Sequence, residues 1–263
     1  MKNGLLLLLF LCFNLLSQAQ KTELGIQLGA GTYYGDLAPS VSFNETHPAG
    51  GIFIRRNLNN TWAFKTELNR YTVSGNDNNF AYNAARNLSF QSHINEAAML
   101  IEFNYLKYGP YVLDKKYTSY VYVGVAGFQY NPQAQLRGVW YDLSDYRTEG
   151  VSYSKLAMAI PFGIGFKYMA SKKFAFECQV GFRRTFTDYL DDVSTVYPDV
   201  VARFEQSGLI GATLTDRSIE KEGIPSYKLG YKRGDPNTKD WYMSFTIGCA
   251  MRLNTRSKCA RFF

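Results

Sequence analysis

The sequence predicts an all-β protein: an eight-stranded antiparallel up-and-down transmembrane β-barrel with four long surface loops. Three observations lead to this prediction. The chain of 263 residues begins with a stretch typical of secretion signals, and eight later segments alternate apolar with small or polar residues. The connections between these segments alternate between short and long, which is the layout of outer-membrane barrels.

The first residues of the chain favour export. Lys2 is followed by an apolar run over 5–16 and then by small residues. This order is typical of a secretory signal peptide, and the run is too short for a spanning helix. Cys12 lacks the small residues before it that a lipoprotein would need. We therefore expect residues 1–19 to be removed, which leaves 20–263 as a single barrel domain.

The composition excludes several classes of protein. The formal net charge is +7, but the basic excess is spread along the chain, so no nucleic-acid partner is expected. Four cysteines do not make a disulfide scaffold. No segment beyond the signal reaches the roughly 18 consecutive apolar residues of a helical span. A mean hydropathy of −0.23 is by itself typical of a secreted soluble protein.

The periodicity of the first half predicts four strands. In the first of them, Leu24, Ile26 and Leu28 alternate with Glu23 and Gln27. A period of two is the pattern of a strand with two different faces. The predicted strands of this half are 23–34, 50–56, 62–71 and 95–106.

The second half repeats the pattern. Val121, Val123 and Val125 alternate with Tyr122 and Gly124. Most of the predicted strands are about ten residues long, which is the length that crosses a bilayer when tilted. The predicted strands of this half are 120–130, 159–168, 174–184 and 241–253.

The connections differ in length in a regular way. Short ones are predicted at 57–60, 107–116 and 169–173. Long ones are predicted at 35–49, 72–94, 131–153 and 187–240. An even strand count places both termini with the short turns, so we expect an outer-membrane protein with both termini in the periplasm. The last loop, 187–240, is tolerated because closure entropy grows slowly with loop length.

A secreted β-sandwich or a lipocalin-like barrel is the alternative fold. It explains the signal and the alternation equally well, but it would place the apolar faces inside. Here the apolar faces are nearly uninterrupted, while the opposite faces carry Gly, Glu, Lys and Arg. Aromatic residues also begin or end many strands, as girdle residues do at membrane interfaces. They are Tyr34, Trp62, Tyr105, Tyr130, Phe174 and Trp241.

The inward faces predict a salt-bridge network that fills the lumen. An eight-stranded barrel has an interior just filled by side chains, and a buried charge is costly unless it is paired. A proton path or small pore is the alternative role for these charges. The predicted lumen residues are Lys65, Glu67, Glu102, Lys167, Glu177, Arg183 and Arg252.

No catalytic set is expected, so the protein is predicted not to be an enzyme, and no cofactor or metal is predicted. None of the common hydrolase or metalloprotease motifs occurs. The one conceivable lipid-modifying arrangement combines His93 with Glu96 and either Ser89 or Ser92.

Five residues are predicted to lock the last loop over the barrel mouth: Asp188, Tyr189, Asp191, Asp192 and Tyr197. The tyrosines combine an apolar ring with a polar tip. The aspartates would accept hydrogen bonds from loop amides or pair with Arg183 and Arg184. Calcium binding is the alternative role for the aspartates, although their spacing is irregular.

Several motifs together resemble the PorG-like outer-membrane barrels of the Bacteroidetes type IX secretion and gliding apparatus. The most specific are "GAGTYYGDL" (29–37) and "RRTFTDYLDDVSTVY" (183–197). Weaker pieces are "GGIFIRRNLN" (50–59), "RNLSF" (86–90), "NEAAMLIEFNY" (95–105), "IPFGIGFKY" (160–168) and "RGDPNTKDWY" (233–242). Together they span nearly all of the chain after the signal.

The resemblance implies a non-enzymatic barrel that docks a periplasmic ring of the secretion machinery. The implied partners are a ring lipoprotein, a companion ring subunit and outer-membrane lipid. The alternative function is a stand-alone surface barrel with a role in adhesion or envelope defence. If the barrel docks such a ring, the candidate contacts on its periplasmic rim are Lys172, Lys173, Arg256, Lys258 and Arg261.

Overall fold

A computed structural model describes residues 22–40, 43–80, 83–108 and 116–253. Within these ranges, eight long strands close into an antiparallel barrel, which confirms the predicted fold class, and a ninth, short strand lies outside the closed wall. The strands are β1 (Thr22–Tyr34), β2 (His47–Asn57), β3 (Trp62–Asn76), β4 (Ser89–Asn104), β5 (Tyr117–Leu136), β6 (Val139–Asp142), β7 (Leu156–Met169), β8 (Phe174–Thr185) and β9 (Trp241–Arg252).

Two pairings close the wall. β1 pairs with β9, its neighbour across the chain ends, and β4 pairs with β5. Closure leaves no barrel strand with an unpaired edge, which removes the aggregation hazard of an open sheet. Both described ends meet at the end of the barrel that carries the short turns, where the Leu253 N–H donates to the Thr22 carbonyl at 2.9 Å. The predicted signal segment and the tail from residue 254 lie outside the described residues.

Side chains alternate across the wall in the phase that the sequence predicts. Val123 and Phe245 point outward and are 54% and 51% exposed, whereas Glu67 and Arg183 point inward and are fully buried. The reason is the pleat: successive Cβ atoms of a strand point to opposite faces. The apolar set therefore covers the outside of the barrel and the polar set fills it.

The predicted loops 72–94 and 131–153 are too long, because the strands continue beyond the apolar pattern. Thr72 pairs with His93 and Ser74 with Gln91 in an extension of β3 and β4. The outward residues here are polar, so the apolar alternation ends while the backbone pairing goes on. β5 likewise runs on and folds back into β6.

The turn between β5 and β6 explains this hairpin. Its two residues, Arg137 and Gly138, have φ angles of 51° and 84°. A two-residue turn with both φ angles positive matches the twist of paired strands.

Helices occupy part of two of the long connections that the sequence predicts. α1 (Leu143–Tyr146) follows β6, and α2 (Val200–Thr215) and α3 (Ile219–Glu222) lie between β8 and β9. Asp199 caps α2 by accepting from the Val201 N–H at 3.0 Å. None of the helices in the described ranges has the length and apolar character that crossing a membrane requires.

Candidate functional site: a filled lumen beneath a folded cap

A cluster of charges fills the lumen towards the short-turn end, and Arg55 of β2 lies at its centre. The guanidinium contacts Glu102 at 2.8 Å, Glu23 at 3.1 Å and Glu177, and all four side chains are almost fully buried. Arg252 of β9 joins the cluster through Glu23 at 2.8 Å. Three carboxylates thus converge on one arginine that the sequence analysis did not include. In this strand Ile52 and Ile54 point outward, while Phe53 and Arg55 point inward. This alternation was the signal that could have identified Arg55 as a lumen residue.

Two lysines complete this cluster. Lys65 Nζ lies 2.7 Å from Glu67 and 2.8 Å from Glu177, and Lys167 Nζ lies 2.5 Å from Glu102. A buried charge is tolerated when its remaining hydrogen-bonding capacity is also satisfied. Lys65 also donates to Gln179 at 3.3 Å and Lys167 to Asn104 at 3.1 Å, and each ammonium group lies 4.1 Å from an aromatic ring centre. The structure therefore brings these predicted residues together.

A second cluster lies nearer the long-loop end. Arg183 donates to the hydroxyl groups of Tyr71 at 2.6 Å and Ser244 at 2.5 Å, and it lies 3.4 Å from Glu96. Tyr242 donates to the same glutamate at 2.6 Å. The guanidinium is fully occupied inside the lumen, so the predicted pairing of Arg183 with loop aspartates is wrong.

Tyrosine rings fill the remaining space in the lumen. Tyr122 lies against the inner faces of β7 and β8, where Gly163 and Gly181 leave room for it. A Cβ atom added at Gly181 would stand 2.2 Å from the Tyr122 hydroxyl oxygen. The glycines opposite the apolar residues thus permit a close approach, and the interior is packed with side chains, as expected for a barrel of eight strands.

We call residues 186–240, the connection between β8 and β9, the cap. Tyr33 of β1 connects the cap to the barrel mouth through side-chain contacts. The Tyr33 hydroxyl lies 2.6 Å from Asp191 and 2.7 Å from Asp240. Leu190 and Val193 are buried beside this contact. Burial and the nearby carboxylates raise the pKa of both Asp191 and Asp240 well above the usual range.

Asp192 forms a second set of contacts that holds the cap in place. It accepts from Tyr153 at 2.6 Å and from Thr148, and it lies 3.7 Å from Arg233. Burial raises the pKa of Asp192 to about 6 in spite of these partners. Arg233 also pairs with Glu149 at 3.1 Å, so two stretches of loop are held by one buried ion-pair group.

Asp188 accepts from the Ser194 hydroxyl at 2.6 Å, and burial raises its pKa to about 6. Besides its contact with Tyr33, Asp191 accepts from the Val193 N–H within the cap at 2.9 Å. The alternative that they pair with Arg184 is wrong, because Arg184 points outward and lies over the Trp241 ring, 5.9 Å from its centre.

The two predicted tyrosines each stack on another tyrosine. Tyr189 lies parallel to Tyr153 with ring centres 4.5 Å apart, and Tyr197 lies parallel to Tyr227 at 4.6 Å. Tyr197 is completely buried. Stacked rings contribute packing over a large area, which helps to hold the cap against its neighbours.

Two arginines that the sequence analysis missed tie the cap to other loops. Arg86 contacts Asp77 through two nitrogens, at 2.6 and 2.7 Å, and also donates to the carbonyl of Arg233 in the cap. Arg217 of the cap donates to Ser89 at 2.7 Å and to the Gln135 carbonyl at 3.0 Å. The isolated arginines in polar loop sequence gave no pattern from which these contacts could be predicted.

The conceivable lipid-modifying arrangement does not form. His93 lies on the outer face of β4, whereas its neighbour Ser92 and Glu96 are buried on the inner face. Among the described residues, no group of three or more His, Cys, Asp or Glu side chains is arranged to hold a metal ion.

The predicted periplasmic rim is described only in part. Lys172 and Lys173 are exposed in the turn between β7 and β8. Arg256, Lys258 and Arg261 lie outside the described residues.

Comparisons with solved structures return small outer-membrane proteins. Ail, the attachment invasion locus protein of Yersinia pestis, is 7% identical, with 88% of this chain and 96% of that chain covered and a TM-score of 0.42. Neisserial surface protein A is 8% identical, with 88% and 97% covered and a TM-score of 0.42. OprG from Pseudomonas aeruginosa is 9% identical, with 88% and 96% covered and a TM-score of 0.42.

The fold assignment rests on the strand pairing described above. No curated protein sequence matches this chain. A family model described as a domain of unknown function, DUF6089, matches residues 2–205, which run from before β1 through β8 into the cap, and the chain belongs to this family.

Proposed function

We propose that this protein is an outer-membrane barrel that acts by binding other proteins. The observation that carries the membrane location is a band of exposed apolar side chains with at least one member on every strand of the barrel wall. Eight members, one per strand, are between 37% and 61% exposed: Ile26, Ile52, Leu68, Ile101, Val123, Ile164, Val180 and Phe245. Leaving such a band in water would cost about 25 cal/mol for each Å² of apolar surface, whereas lipid covers it at no such cost.

The filled lumen supports a binding role over a transport role. The salt-bridged side chains around Arg55 and Arg183 occupy the space through which a solute would pass. Moving a solute past them would require separating buried ion pairs, which is energetically costly. The surfaces that remain for function are those at the two ends of the barrel.

The partner that we propose is a periplasmic ring of the type IX secretion machinery. The proposal is supported by the motif resemblance and by the absence of a recognisable catalytic motif in the sequence. Lys172 and Lys173 are exposed at the short-turn end and would complement an acidic ring surface, together with basic residues of the tail. Complementary charge of this kind speeds association more than it raises final affinity.

Two measurements test this function in order. The protein should be recovered only with detergent and should migrate differently on a gel before and after boiling. Tagged protein from gently solubilised membranes should then co-purify the ring lipoprotein and its companion subunit. Lys172→Glu together with Lys173→Glu should reduce this recovery while gel migration stays unchanged. Capture of ring components at the wild-type level by the double variant would refute the proposed contact.

A stand-alone surface barrel is the second candidate function. It is favoured by exposed apolar side chains in the cap, at the end opposite the short turns: Val201, Phe204, Leu209, Ile224, Leu229 and Tyr231. Exposed apolar groups outside a bilayer are typical of protein contact surfaces. A deletion strain that secretes type IX cargo normally, with no ring protein in the affinity purification, would favour this candidate over ring docking.

A further inference from the structure

A groove of about 660 Å³ lies on the outer wall of the barrel across β2 to β7. Its floor consists of Ala97 and Gly127, which are paired across β4 and β5. Leu68, the partner of Ala97, forms one apolar side, and Leu156 lies on the other. A Cβ atom added at Gly127 would meet no heavy atom within 4 Å, so the floor is open to the outside.

A polar row borders this groove on the side of the long loops. Arg70, Asn95 and Gln129 are neighbours in register across β3, β4 and β5, and all three point outward and are exposed. Towards the short turns the next outward residues are apolar, and towards the long loops the next outward pair, Thr72 and His93, is polar. The row therefore stands at the level where the apolar band ends.

Arg70 has no anionic partner in the described part of the chain: no salt bridge or side-chain hydrogen bond there involves its guanidinium. Arg184 provides a contrast. It also points outward near the long-loop end, four strands away around the barrel, but it lies over the Trp241 ring, 5.9 Å from its centre, and is not part of this groove.

We propose that this groove binds an anionic membrane lipid, with the headgroup phosphate on Arg70 and an acyl chain on Ala97 and Gly127. The guanidinium fork matches a phosphate, and the amides of Asn95 and Gln129 supply further donors in the same row. An acyl chain that runs from the phosphate towards the short-turn end would lie along the apolar side of the groove and enter the apolar band of the barrel wall. The groove therefore combines a charged contact and an apolar contact in the order that a lipid presents them.

This inference rests on the proposed membrane location of the barrel, but not on the proposed ring partner. The test uses the full mature chain in detergent and phosphatidylglycerol as the probe, with phosphatidylcholine of the same acyl chains for comparison. Native mass spectrometry counts the lipid molecules that stay bound. The wild-type protein should retain phosphatidylglycerol in preference to phosphatidylcholine.

Three variants separate the two contacts. Arg70→Gln should weaken retention of phosphatidylglycerol by about tenfold, the effect of losing one charge-assisted contact. Gly127→Leu should do the same by filling the floor, and Ala97→Leu is a second filling variant should the first fail to assemble. Arg184→Gln, the matched control, should retain the lipid like the wild type.

Equal loss in Arg184→Gln and Arg70→Gln would overturn the site, since it would indicate general attraction to basic residues. Wild-type retention in Arg70→Gln or in the filling variants would overturn it as well. Failure of the membrane location is recognised separately, because the protein would then be recovered without detergent and would not change its migration on boiling. A heat-modifiable barrel without lipid preference refutes this inference alone.

Discussion

Asp191 and Asp240 contact the same hydroxyl group, that of Tyr33, at 2.6 and 2.7 Å. A tyrosine hydroxyl carries one proton and can donate it to one of the two carboxyls. The other contact is a hydrogen bond only when the second carboxyl carries a proton of its own. In the described part of the chain no basic side chain forms a salt bridge with either aspartate. We infer that the folded cap keeps a proton on this pair, which agrees with the raised pKa of both groups.

The retained proton gives a direct spectroscopic prediction. Infrared spectra of the protein at neutral pH should contain the C=O band of a protonated carboxylic acid. Asp240→Asn should remove that band, because the remaining Asp191 can then accept the tyrosine proton as a carboxylate. Asp235→Asn, at a partly exposed position of the cap that does not contact Tyr33, is the control and should leave the band in place. A wild-type spectrum without the band would contradict the shared proton.

The cap should lose stability as pH rises. In the folded cap Asp188 and Asp192 each have a pKa of about 6, above the value of about 3.9 for an aspartate in an unfolded chain. The folded form therefore holds these protons more tightly. The stability that this contributes is complete below about pH 4 and is lost as pH rises through about 6.

Hydrogen exchange measures this pH dependence. Protection factors for amides in 188–197, corrected for intrinsic exchange, should fall between pH 4 and pH 7. Asp192→Asn should flatten part of the fall, because the amide does not titrate. Protection that stays constant over this range, or rises with pH, would show that the folded pKa values are not raised.

The lumen variants should differ in cost. Arg55→Met leaves three buried carboxylates without their shared cation and should destabilise the barrel by about 3–5 kcal/mol. Glu67→Gln should cost about 1 kcal/mol, because Lys65 keeps Glu177 at 2.8 Å. Urea unfolding in detergent, followed by gel migration without boiling, provides the comparison. Equal midpoints for the two variants would argue against Arg55 as the centre of the cluster.

Charge on the outer wall should be tolerated according to depth. Val123→Arg and Phe245→Arg place an arginine in the apolar band, where the cost is about 2–4 kcal/mol. Gln91→Arg lies beyond the band, near the start of β4, and should cost no more than about 1 kcal/mol. The assembled, heat-modifiable fraction should fall for the first two and not for the third. Equal assembly of all three would show that the band does not face lipid.

The apolar alternation was enough to predict the strands, their facing and the closed barrel, and it failed where the outward residues change from apolar to polar. Thr72 and His93 pair on the outer face as polar residues, while the apolar neighbours Val73 and Ile94 are buried on the inner face, so the outward apolar pattern ends although the strands continue. The helix α2 was missed for a related reason. Val201, Phe204 and Leu209 are all exposed, so the segment has no clean stripe of buried apolar residues.

Alternation with a period of two determined the wall of this barrel from the sequence alone, because the pleat sends every second side chain to the same face. Only the tertiary structure decided the partners inside and above that wall. Arg55 contacts carboxylates from three other strands, and Asp191 and Asp240, which are 49 residues apart, contact the same Tyr33 hydroxyl. Such contacts depend on the barrel shear and on the path of the loops. These bring residues together that are distant in the chain, so no local spacing in the sequence predicts the contacts.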